Sequence, residues 1–266
     1  MTKKYFIIGN PVSHSLSPKI HNYWFEQNNI NAVYEKKEIS ENELKNVVND
    51  IKNEKIHGIN VTVPYKQKII PFLDKLSDSA KKTESVNTVY KSDNMIVGDN
   101  TDIYGFKESL INQNIYLKDK IAFIIGAGGV VPSIITALKD LSVKEIFLTN
   151  RTFYKIEKLK IKYPELQLLK WGEITNFDIV INATSIGLKS EDKINIDFDN
   201  LENHKIFYDT IYNPPVTNFL SKAKSDGHRS INGKLMLAYQ AQKAFQCWNN
   251  LLPNLDKKFL DFIKDD

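Results

Sequence analysis

The sequence has 266 residues, 42% of them hydrophobic, which is enough for one large or two ordinary domains with a substantial core. Its 36 basic and 32 acidic side chains give a net charge of +4 and are spread along the chain, which argues against a concentrated basic face for nucleic acid. The single cysteine, Cys247, excludes an internal disulfide, and no apolar run approaches the ~20 residues of a membrane span, so we expect a soluble, cytoplasmic protein.

Strands and helices alternate through the N-terminal part of the chain. The pattern predicts strands at 5–8, 32–39, 58–63, 86–90 and 95–97. One helix is predicted to follow Ser17, an N-cap before Pro18, and another to follow Ser40, which forms a capping box with Glu43. A short helix is predicted through 69–73. This β-α-β-α-β order predicts an open, mainly parallel α/β sheet with right-handed crossovers.

The segment 58–66, with the sequence G-I-N-V-T-V-P-Y-K, brings polar side chains to the end of a strand. Because side chains alternate faces along a strand, we expect Asn60 and Thr62 to emerge together before Pro64 ends it. Lys66 follows directly after the turn. Small molecules bind at the C-terminal strand ends of open α/β sheets, so the segment is a candidate ligand site. The alternative interpretation is a buried strand that ends in a solvated lysine.

A second α/β unit begins near residue 120 and carries a glycine-rich turn. The apolar strand 121–125 runs into Gly126-Ala127-Gly128-Gly129, and a helix follows. Gly126 and Gly128 match the first two glycines of G-x-G-x-x-G, whereas Val131 occupies the third position. Such a turn lets the backbone approach a pyrophosphate at a helix N-terminus, although glycine-rich turns also serve as plain connectors. Further strands are predicted near 145–148, 166–171, 178–182 and 206–208, and helices near 235–250 and 259–263.

The end of the second strand of this unit indicates which dinucleotide is bound. An NAD site carries an aspartate or glutamate there, about 20 residues after the glycines, to hold the ribose hydroxyls. This chain has Asn150, Arg151 and Thr152, with Lys155 one helical turn later. A guanidinium binds a 2′-phosphate in a bidentate fashion, and a carboxylate would repel it. The sequence therefore favours NADP(H), the alternative being a strand end with surface basic residues.

Motifs along nearly the whole chain resemble the shikimate dehydrogenase family, and they occur in the family's order. They are G-N-P-V-S-H-S-L-S-P-K-I-H-N (9–22), N-V-T-V-P-Y-K (60–66), V-N-T (86–88), G-D-N-T-D-I-Y-G (98–105), G-A-G-G (126–129), N-R-T (150–152), N-A-T-S-I-G (182–187), Y-N-P-P-V-T (212–217) and G-K-L-M-L-A-Y-Q-A-Q-K-A-F (233–245). The chain departs from the family pattern at Glu84-Ser85, Val131-Pro132 and Lys155.

The resemblance implies an enzyme that reversibly reduces 3-dehydroshikimate to shikimate with NADPH, a step in making chorismate and the aromatic amino acids. It implies a substrate domain at 1–102 plus 236–266 and a Rossmann-like NADP-binding domain at 103–235. The C-terminal helices would pack back on the first domain, and the reaction would take place in the cleft between the two. The enzyme would work as a monomer or homodimer without metal, nucleic acid or membrane.

The resemblance also implies roles for individual residues. The substrate carboxylate, hydroxyls and ketone would be held by Ser15, Ser17, Asn60, Thr62, Lys66, Asn87, Asp102, Tyr212 and Gln240. The cofactor would be held by Gly126, Ala127, Gly128, Gly129, Asn150, Arg151, Thr152, Lys155, Thr184, Ile211 and Gly233.

Lys66 and Asp102 suit the chemistry of such a reaction. Hydride addition to a ketone builds negative charge on oxygen, so a positioned proton donor stabilises the transition state, and Lys66 beside Asp102 is the candidate. Asp102 has an alternative role as the N-cap of a helix predicted to start at Phe106. His14 and His21 are the other acid–base candidates, but His14 fits a role in ordering the serine loop and His21 a role in packing the first helix.

Three other functions compete with this interpretation. The first is a dual shikimate/quinate dehydrogenase that uses NAD, against which Arg151 argues. The compact pair of serines also favours shikimate over the bulkier quinate. The second is a catalytically silent NADP-binding sensor, which the retention of Lys66 and Asp102 disfavours. The third is a two-domain NADP enzyme acting on a folate-type substrate, which the serine loop and Gln240 disfavour.

Overall fold

A computed structural model describes residues 1–199, 201–202 and 204–263. The contacts divide the chain into two compact units, Met1–Gly105 with Leu237–Asp266, and Phe106–Met236. The boundaries predicted from the sequence lie slightly earlier, after residues 102 and 235. Over the described residues, no helix combines the length and the apolar character that crossing a membrane requires.

Strands and helices alternate along the chain. The strands are β1 (Lys3–Gly9), β2 (Ala32–Glu38), β3 (Gly58–Val61), β4 (Lys75–Leu76), β5 (Thr88–Ser92), β6 (Met95–Asp99), β7 (Ile121–Ile125), β8 (Glu145–Thr149), β9 (Gln167–Leu169), β10 (Ile179–Asn182), β11 (Ile206–Asp209) and β12 (Arg229–Ile231). The helices are α1 (Ser17–Gln27), α2 (Leu44–Lys52), α3 (Asp78–Thr83), α4 (Asp102–Ile111), α5 (Val131–Asp140), α6 (Phe153–Lys162), α7 (Asn218–Ser225), α8 (Lys234–Asn249) and α9 (Lys257–Phe262).

The first unit contains a six-stranded sheet in the order β2-β1-β3-β5-β6-β4. The pairs β1–β2, β1–β3 and β4–β6 are parallel, as the sequence predicts for most of the sheet. Strand β5 runs antiparallel to β3 and β6. The chain reverses between β5 and β6 in a tight turn at Asp93 and Asn94, both with positive φ, so these two strands form a hairpin.

This register places the C-terminal ends of β1, β3 and β6 and the start of β5 at the same side of the sheet, which is called the sheet edge below. Ile8 pairs with Val61, so β1 and β3 both end there. Thr88 pairs with Asn60 on one side and with Asp99 on the other, so β5 starts and β6 ends at the same edge. The loops after β1, β3 and β6 and the residues just before β5 therefore emerge together.

The C-terminal helices pack on the first unit, as the sequence predicts. Ala238, Ala241 and Phe245 of α8 and Phe259 of α9 share one apolar cluster with Trp24 of α1. Phe245 and Phe259 are fully buried, so they form core rather than an exposed stacking surface. The opposite face of the sheet is covered by α2, whose apolar residues are buried in a separate cluster.

Several predicted boundaries are wrong for local reasons. Helix α1 starts at Ser17 itself, with Leu16 as its N-cap, because the Ser17 N–H is already bonded to the Ser15 hydroxyl. The helix predicted through 69–73 is only a 3₁₀ turn at Ile70–Phe72, after which the Asp74 N–H joins the sheet at Ile96. The elements that the pattern did not predict are all short, namely β4, α3, α7 and β12.

The second unit contains a sheet whose pairs are all parallel, in the order β12-β11-β10-β7-β8-β9. Numbered within the unit, this is the 3-2-1-4-5-6 order of dinucleotide-binding folds, with its switch point between β7 and β10. In such sheets the ligand lies beyond the C-terminal strand ends at the switch point. The glycine turn at 126–129, which follows β7, lies at this position.

Candidate active site

Lys66 and Asp102 form an ion pair at the side of the first sheet where strands β1, β3 and β6 end. The Lys66 Nζ lies 2.5 Å from the Asp102 Oδ2, and the two side chains are only 12% and 8% exposed. The second carboxylate oxygen, Oδ1, accepts a hydrogen bond of 2.9 Å from the Asn87 Nδ2. Both oxygens of a nearly buried carboxylate are thus bonded, which holds its plane and keeps the lysine ammonium beside it.

The backbone around each member of the pair is fixed by short local bonds. Lys66 follows a turn in which the Tyr65 N–H donates to the Thr62 carbonyl, and its own carbonyl accepts from the Val86 N–H at 2.8 Å. Asp102 is the first residue of α4, and its N–H donates to the Asn100 Oδ1 at 3.1 Å. The helix is therefore capped by Asn100, and the alternative role of Asp102 as an N-cap is wrong.

Asn87 connects the pair to its surroundings. Its Oδ1 accepts from the Thr101 N–H at 2.8 Å, and its Nδ2 also lies 2.9 Å from the Thr101 Oγ1. Gln240 of α8 places its Oε1 at 3.4 Å from the same Nδ2, which is a longer and weaker contact. The structure thus brings together four predicted substrate residues, Lys66, Asn87, Asp102 and Gln240, within the first unit.

Asn60 lies deeper than the sequence analysis expects. It is 4% exposed, and its Oδ1 accepts from the Tyr34 hydroxyl at 2.7 Å. Its Nδ2 donates to the Asn87 carbonyl and to the Thr88 Oγ1, both at 3.1 Å. β3 ends at Val61, so Thr62 lies just beyond the strand, and the joint emergence of Asn60 and Thr62 stays a prediction. Asn60 supports Asn87 in this structure, and its contact with a substrate stays a prediction.

The hydroxyl residues lie on neighbouring loops of the same edge. The Ser15 hydroxyl, in the loop after β1, lies 3.1 Å from the hydroxyl of Ser17, the buried first residue of α1. Thr62 follows β3, and its N–H donates to the Ile8 carbonyl at 2.9 Å. The loop after β1 is tied to this segment, because the Asn10 N–H donates to the Val63 carbonyl. Tyr212, the remaining predicted substrate residue, belongs to the second unit.

Two buried titratable groups of the first unit, His21 and Cys247, are poorly suited to proton transfer at neutral pH. His21 is completely buried and stacks on Tyr34 with ring centroids 4.5 Å apart. Burial lowers the pKa of His21 to about 3, so its ring is neutral and acts in packing. Burial also raises the pKa of the Cys247 thiol to about 12, so the thiol stays protonated. His14 is exposed on the serine loop.

The glycine turn of the second unit has the backbone that a dinucleotide requires. Gly126 has φ +122°, and a Cβ there would lie 2.8 Å from the Ala183 carbonyl oxygen. Gly128 is exposed, and helix α5 begins without a side-chain cap, as at a helix start that receives a phosphate. These features fit a pyrophosphate between Gly126 and α5, with Ala127 and Gly129 in the same turn.

The basic residues predicted to select NADP(H) follow the neighbouring strand. The Gly126 N–H donates to the Thr149 carbonyl at 2.8 Å, which joins the glycine turn to the end of β8. The Asn150 Nδ2 donates to the Thr152 carbonyl at 2.9 Å and so shapes the turn that carries Arg151. Arg151, Thr152 and Lys155 are exposed at the start of α6. A guanidinium and an ammonium at this strand end fit a 2′-phosphate.

The structure adds a buried carboxylate, Asp209, that the sequence analysis missed. Asp209 is 0% exposed, and its Oδ1 accepts from the Asn182 Nδ2 and from the Ile211 N–H, both at 3.0 Å. Its Oδ2 accepts from the Thr217 hydroxyl at 2.7 Å. Asn182 in turn accepts from the Thr184 hydroxyl at 2.7 Å. Asp209 thereby fixes the loops after β10 and β11, which carry Thr184 and Ile211.

Gly233 lies against the same region. Its N–H donates to the Ile211 carbonyl at 3.0 Å, and a Cβ at this position would lie 2.2 Å from the Thr210 carbonyl oxygen. Only glycine fits such a close approach of two backbone segments. Its contact with the cofactor stays a prediction.

Asp209 should make the stability of the protein depend on pH. Burial among uncharged partners raises its pKa from 3.8 to about 6. A carboxyl whose folded pKa is raised stabilises the fold below the unfolded pKa, and this contribution is lost as pH rises through the folded value. We expect the free energy of unfolding of the wild type, relative to Asp209→Asn, to fall by up to ~3 kcal/mol between about pH 4 and pH 7.

Urea unfolding of both proteins across this pH range measures the difference. Asp119→Asn is the matched control, because Asp119 is exposed and its positive φ suits asparagine. If the difference in the free energy of unfolding between the wild type and Asp209→Asn stays constant with pH, Asp209 does not titrate in this range.

Among the residues that the structure describes, no group of three or more histidine, cysteine, aspartate or glutamate side chains is arranged to hold a metal ion. The polar groups brought together in the first unit are hydroxyls, amides, one ammonium and one carboxylate. Such a set can bind a hydroxylated carboxylic acid and transfer a proton to its oxygen.

Comparisons with known proteins agree with this architecture. A family model described as "Shikimate dehydrogenase substrate binding domain" matches residues 7–89, and one described as "Shikimate / quinate 5-dehydrogenase" matches residues 109–197. A protein of Pelagibacter ubique (strain HTCC1062) named shikimate dehydrogenase (NADP(+)) is 53% identical, over 99% of this chain and 99% of its own length.

Two solved structures are similar over nearly the whole chain. The crystal structure of shikimate dehydrogenase from Aquifex aeolicus has a TM-score of 0.92 at 38% identity, covering 99% of this chain and 98% of its own. Shikimate 5-dehydrogenase of Thermus thermophilus, in complex with NADP(H) and shikimate, has a TM-score of 0.88 at 30% identity, covering 95% of each chain. With sequence, sheet order and site in agreement, the chain belongs to the shikimate dehydrogenase family.

Proposed function

We propose that this chain is an NADP-dependent shikimate dehydrogenase, which interconverts 3-dehydroshikimate and shikimate in the biosynthesis of chorismate and the aromatic amino acids. The observation that carries the proposal is the ion pair of Lys66 and Asp102, 2.5 Å apart among amide side chains at one sheet edge. Relatives named for this activity support the substrate and the cofactor. A cytoplasmic location and a monomeric or homodimeric state remain predictions from the sequence.

Ser15 and Ser17 are proposed to bind the substrate carboxylate, with help from Tyr212. Their hydroxyls are 3.1 Å apart, and rotation of the Ser15 hydroxyl away from the Ser17 oxygen, to which it now donates, would let a single carboxylate accept a hydrogen bond from each. The two serine hydroxyls are uncharged, and the ammonium of Lys66 is assigned to the other end of the substrate. Thr62, Asn87 and Gln240 are proposed to hold the ring hydroxyls, with Asn60 behind Asn87.

Lys66 and Asp102 are proposed to transfer the proton. In the reductive direction the Lys66 ammonium donates a hydrogen bond to the ketone oxygen and then its proton, while charge builds on that oxygen. Asp102 keeps the ammonium oriented and balances its charge. In the oxidative direction the neutral amine accepts the proton of the substrate hydroxyl.

The second unit is proposed to bind NADP(H). Bound NADPH supplies the hydride that reduces the ketone carbon. Gly126, Ala127, Gly128 and Gly129 would hold the pyrophosphate, and Asn150, Arg151, Thr152 and Lys155 the adenosine 2′-phosphate. Thr184, Ile211 and Gly233 would lie near the nicotinamide and its ribose. The support for this arrangement is the positive φ of Gly126, the start of α5 without a side-chain cap and the exposed Arg151.

An assay of shikimate oxidation with NADP⁺, followed by the absorbance of NADPH, tests the proposal. Quinate and NAD⁺ serve as comparators in the same assay. We expect kcat/KM to be highest for shikimate with NADP⁺, because a buried site built for defined hydroxyls penalises a substrate that leaves polar groups unpaired. Equal kcat/KM for quinate would indicate the dual enzyme, and binding of NADP⁺ without any turnover would indicate the silent sensor.

A further inference from the structure

We propose that Asn100 is a positioning residue that sets the geometry of the Lys66–Asp102 pair. This inference rests on the proposed function, since it concerns how the proton-transferring pair is held. Asn100 itself is 3% exposed and lies in the loop between β6 and α4. It therefore acts through its neighbours and not through contact with a ligand.

One half of the Asn100 amide fixes Asp102. Its Oδ1 accepts from the Asp102 N–H at 3.1 Å and from the Ile103 N–H at 3.3 Å, so it caps the first turn of α4. Because Asp102 is the first residue of this helix, the position of its Cα follows the cap. Because Asn100 caps the helix, the Asp102 carboxylate does not have to bind the first N–H groups of α4 and can bind Lys66.

The other half of the amide reaches the segment that holds Lys66. The Asn100 Nδ2 donates to the Ser85 carbonyl at 2.9 Å and to the Thr83 Oγ1 at 3.2 Å. The next residue, Val86, donates its N–H to the Lys66 carbonyl at 2.8 Å. Asn100 thus links the backbones of Lys66 and Asp102 through a short path of hydrogen bonds that does not pass through their own side chains.

Only asparagine suits this position among residues of its size. The bridge needs an acceptor toward the helix and a donor toward the Ser85 carbonyl, and a planar amide presents both on a short side chain. Aspartate would keep the cap but would place a carboxylate oxygen against the Ser85 carbonyl. Serine would keep a capping oxygen but is too short to span both segments.

The first test is Asn100→Ala, assayed for shikimate oxidation with NADP⁺. We expect kcat to fall ~10- to 100-fold, because a displacement of about 1 Å in a catalytic group costs rates of this order. The KM for NADP⁺ should change less than about twofold, because the second unit is not altered. Asn100→Ser keeps a capping oxygen and replaces the alanine variant if that variant does not fold.

Thr83→Val is the matched control for stability. It removes a buried hydroxyl that Asn100 contacts, but it leaves the bond from Asn100 to the Ser85 carbonyl in place. Its Tm should fall, while its kcat should stay near the wild-type value. If kcat falls as far in Thr83→Val as in Asn100→Ala at equal loss of Tm, Asn100 acts through stability alone and the proposal is wrong.

A double-mutant cycle with Lys66→Ala separates positioning from general damage. If Asn100 acts through the pair, its removal should lower kcat far less in a Lys66→Ala background than in the wild type. Equal losses in both backgrounds would overturn the proposal. A Lys66→Ala variant with normal kcat would instead contradict the assignment of the pair itself, so the two failures can be told apart.

Discussion

Lys66→Ala is expected to lower kcat for shikimate oxidation at least ~100-fold with little change in KM. General acid–base assistance contributes ~10²–10⁴-fold, and its loss removes an interaction that exists mainly in the transition state. The ammonium lies 2.5 Å from the Asp102 carboxylate and is only 12% exposed, so bulk water does not readily take its place. Steady-state kinetics with NADP⁺ at saturating and subsaturating shikimate measures both constants.

Lys68→Ala is the control for this prediction. Lys68 lies two residues further along the same segment, is 45% exposed, and pairs with Glu41 at the surface, so its removal should leave kcat unchanged. Lys66→Ala leaves a nearly buried carboxylate without its partner, so its Tm should be measured alongside kcat. Wild-type kcat in a folded Lys66→Ala variant would remove Lys66 from the proposed mechanism.

Combining Lys66→Ala with Asp102→Asn tests whether the two residues work as a unit. If they do, the double variant should be about as slow as Lys66→Ala alone, because residues of one catalytic unit are strongly non-additive. Independent, multiplicative losses would show that Asp102 has a role of its own in binding the substrate.

The glycine turn and the polar end of β3 could be predicted because they depend on local signals. The apolar strand 121–125 followed by glycines predicts the junction between β7 and α5 that the structure has. The pattern predicts a mainly parallel sheet but does not identify β5 as its antiparallel strand, because that depends on which strands become neighbours in the fold. The capping box of Ser40 and Glu43 is also present as predicted, since both partners lie within one turn.

The supporting residues could not be predicted because their partners are distant in sequence. Asn60 looks like a ligand-binding residue at the end of a strand, but its amide is used by Tyr34, Asn87 and Thr88. Asp209 follows an apolar strand like many surface aspartates, and its burial depends on Thr217 and on loops that only the fold brings together. An alternating sequence pattern predicts which face of the sheet a side chain lies on, but it does not predict which polar group will be its hydrogen-bond partner.

Arg151→Ala is expected to raise the KM for NADP⁺ ~10- to 100-fold and to leave the KM for NAD⁺ nearly unchanged. A hydrogen bond to a charged group contributes about 1.5–3 kcal/mol, and only NADP⁺ carries the 2′-phosphate that the guanidinium would bind. Arg151 is exposed at the end of β8, next to the strand that precedes the glycine turn, so its loss should not disturb the core. The kcat at saturating NADP⁺ should stay within about twofold of the wild type.

Two further variants decide what Arg151 contributes. Arg151→Lys keeps the charge but not the fork of donors, so we expect its KM for NADP⁺ to lie between the wild type and Arg151→Ala. Lys158→Ala removes one positive charge from α6, the helix that also carries Lys155. If NADP⁺ is recognised by direct contact and not by net charge, this variant should leave the KM for NADP⁺ and for NAD⁺ unchanged. If Arg151→Ala weakens NADP⁺ and NAD⁺ equally, the residue supports the turn at 150–152 and does not recognise the 2′-phosphate. In that case the absence of a carboxylate at this strand end would be the feature that separates the two cofactors, because it removes the ribose contact that NAD⁺ requires.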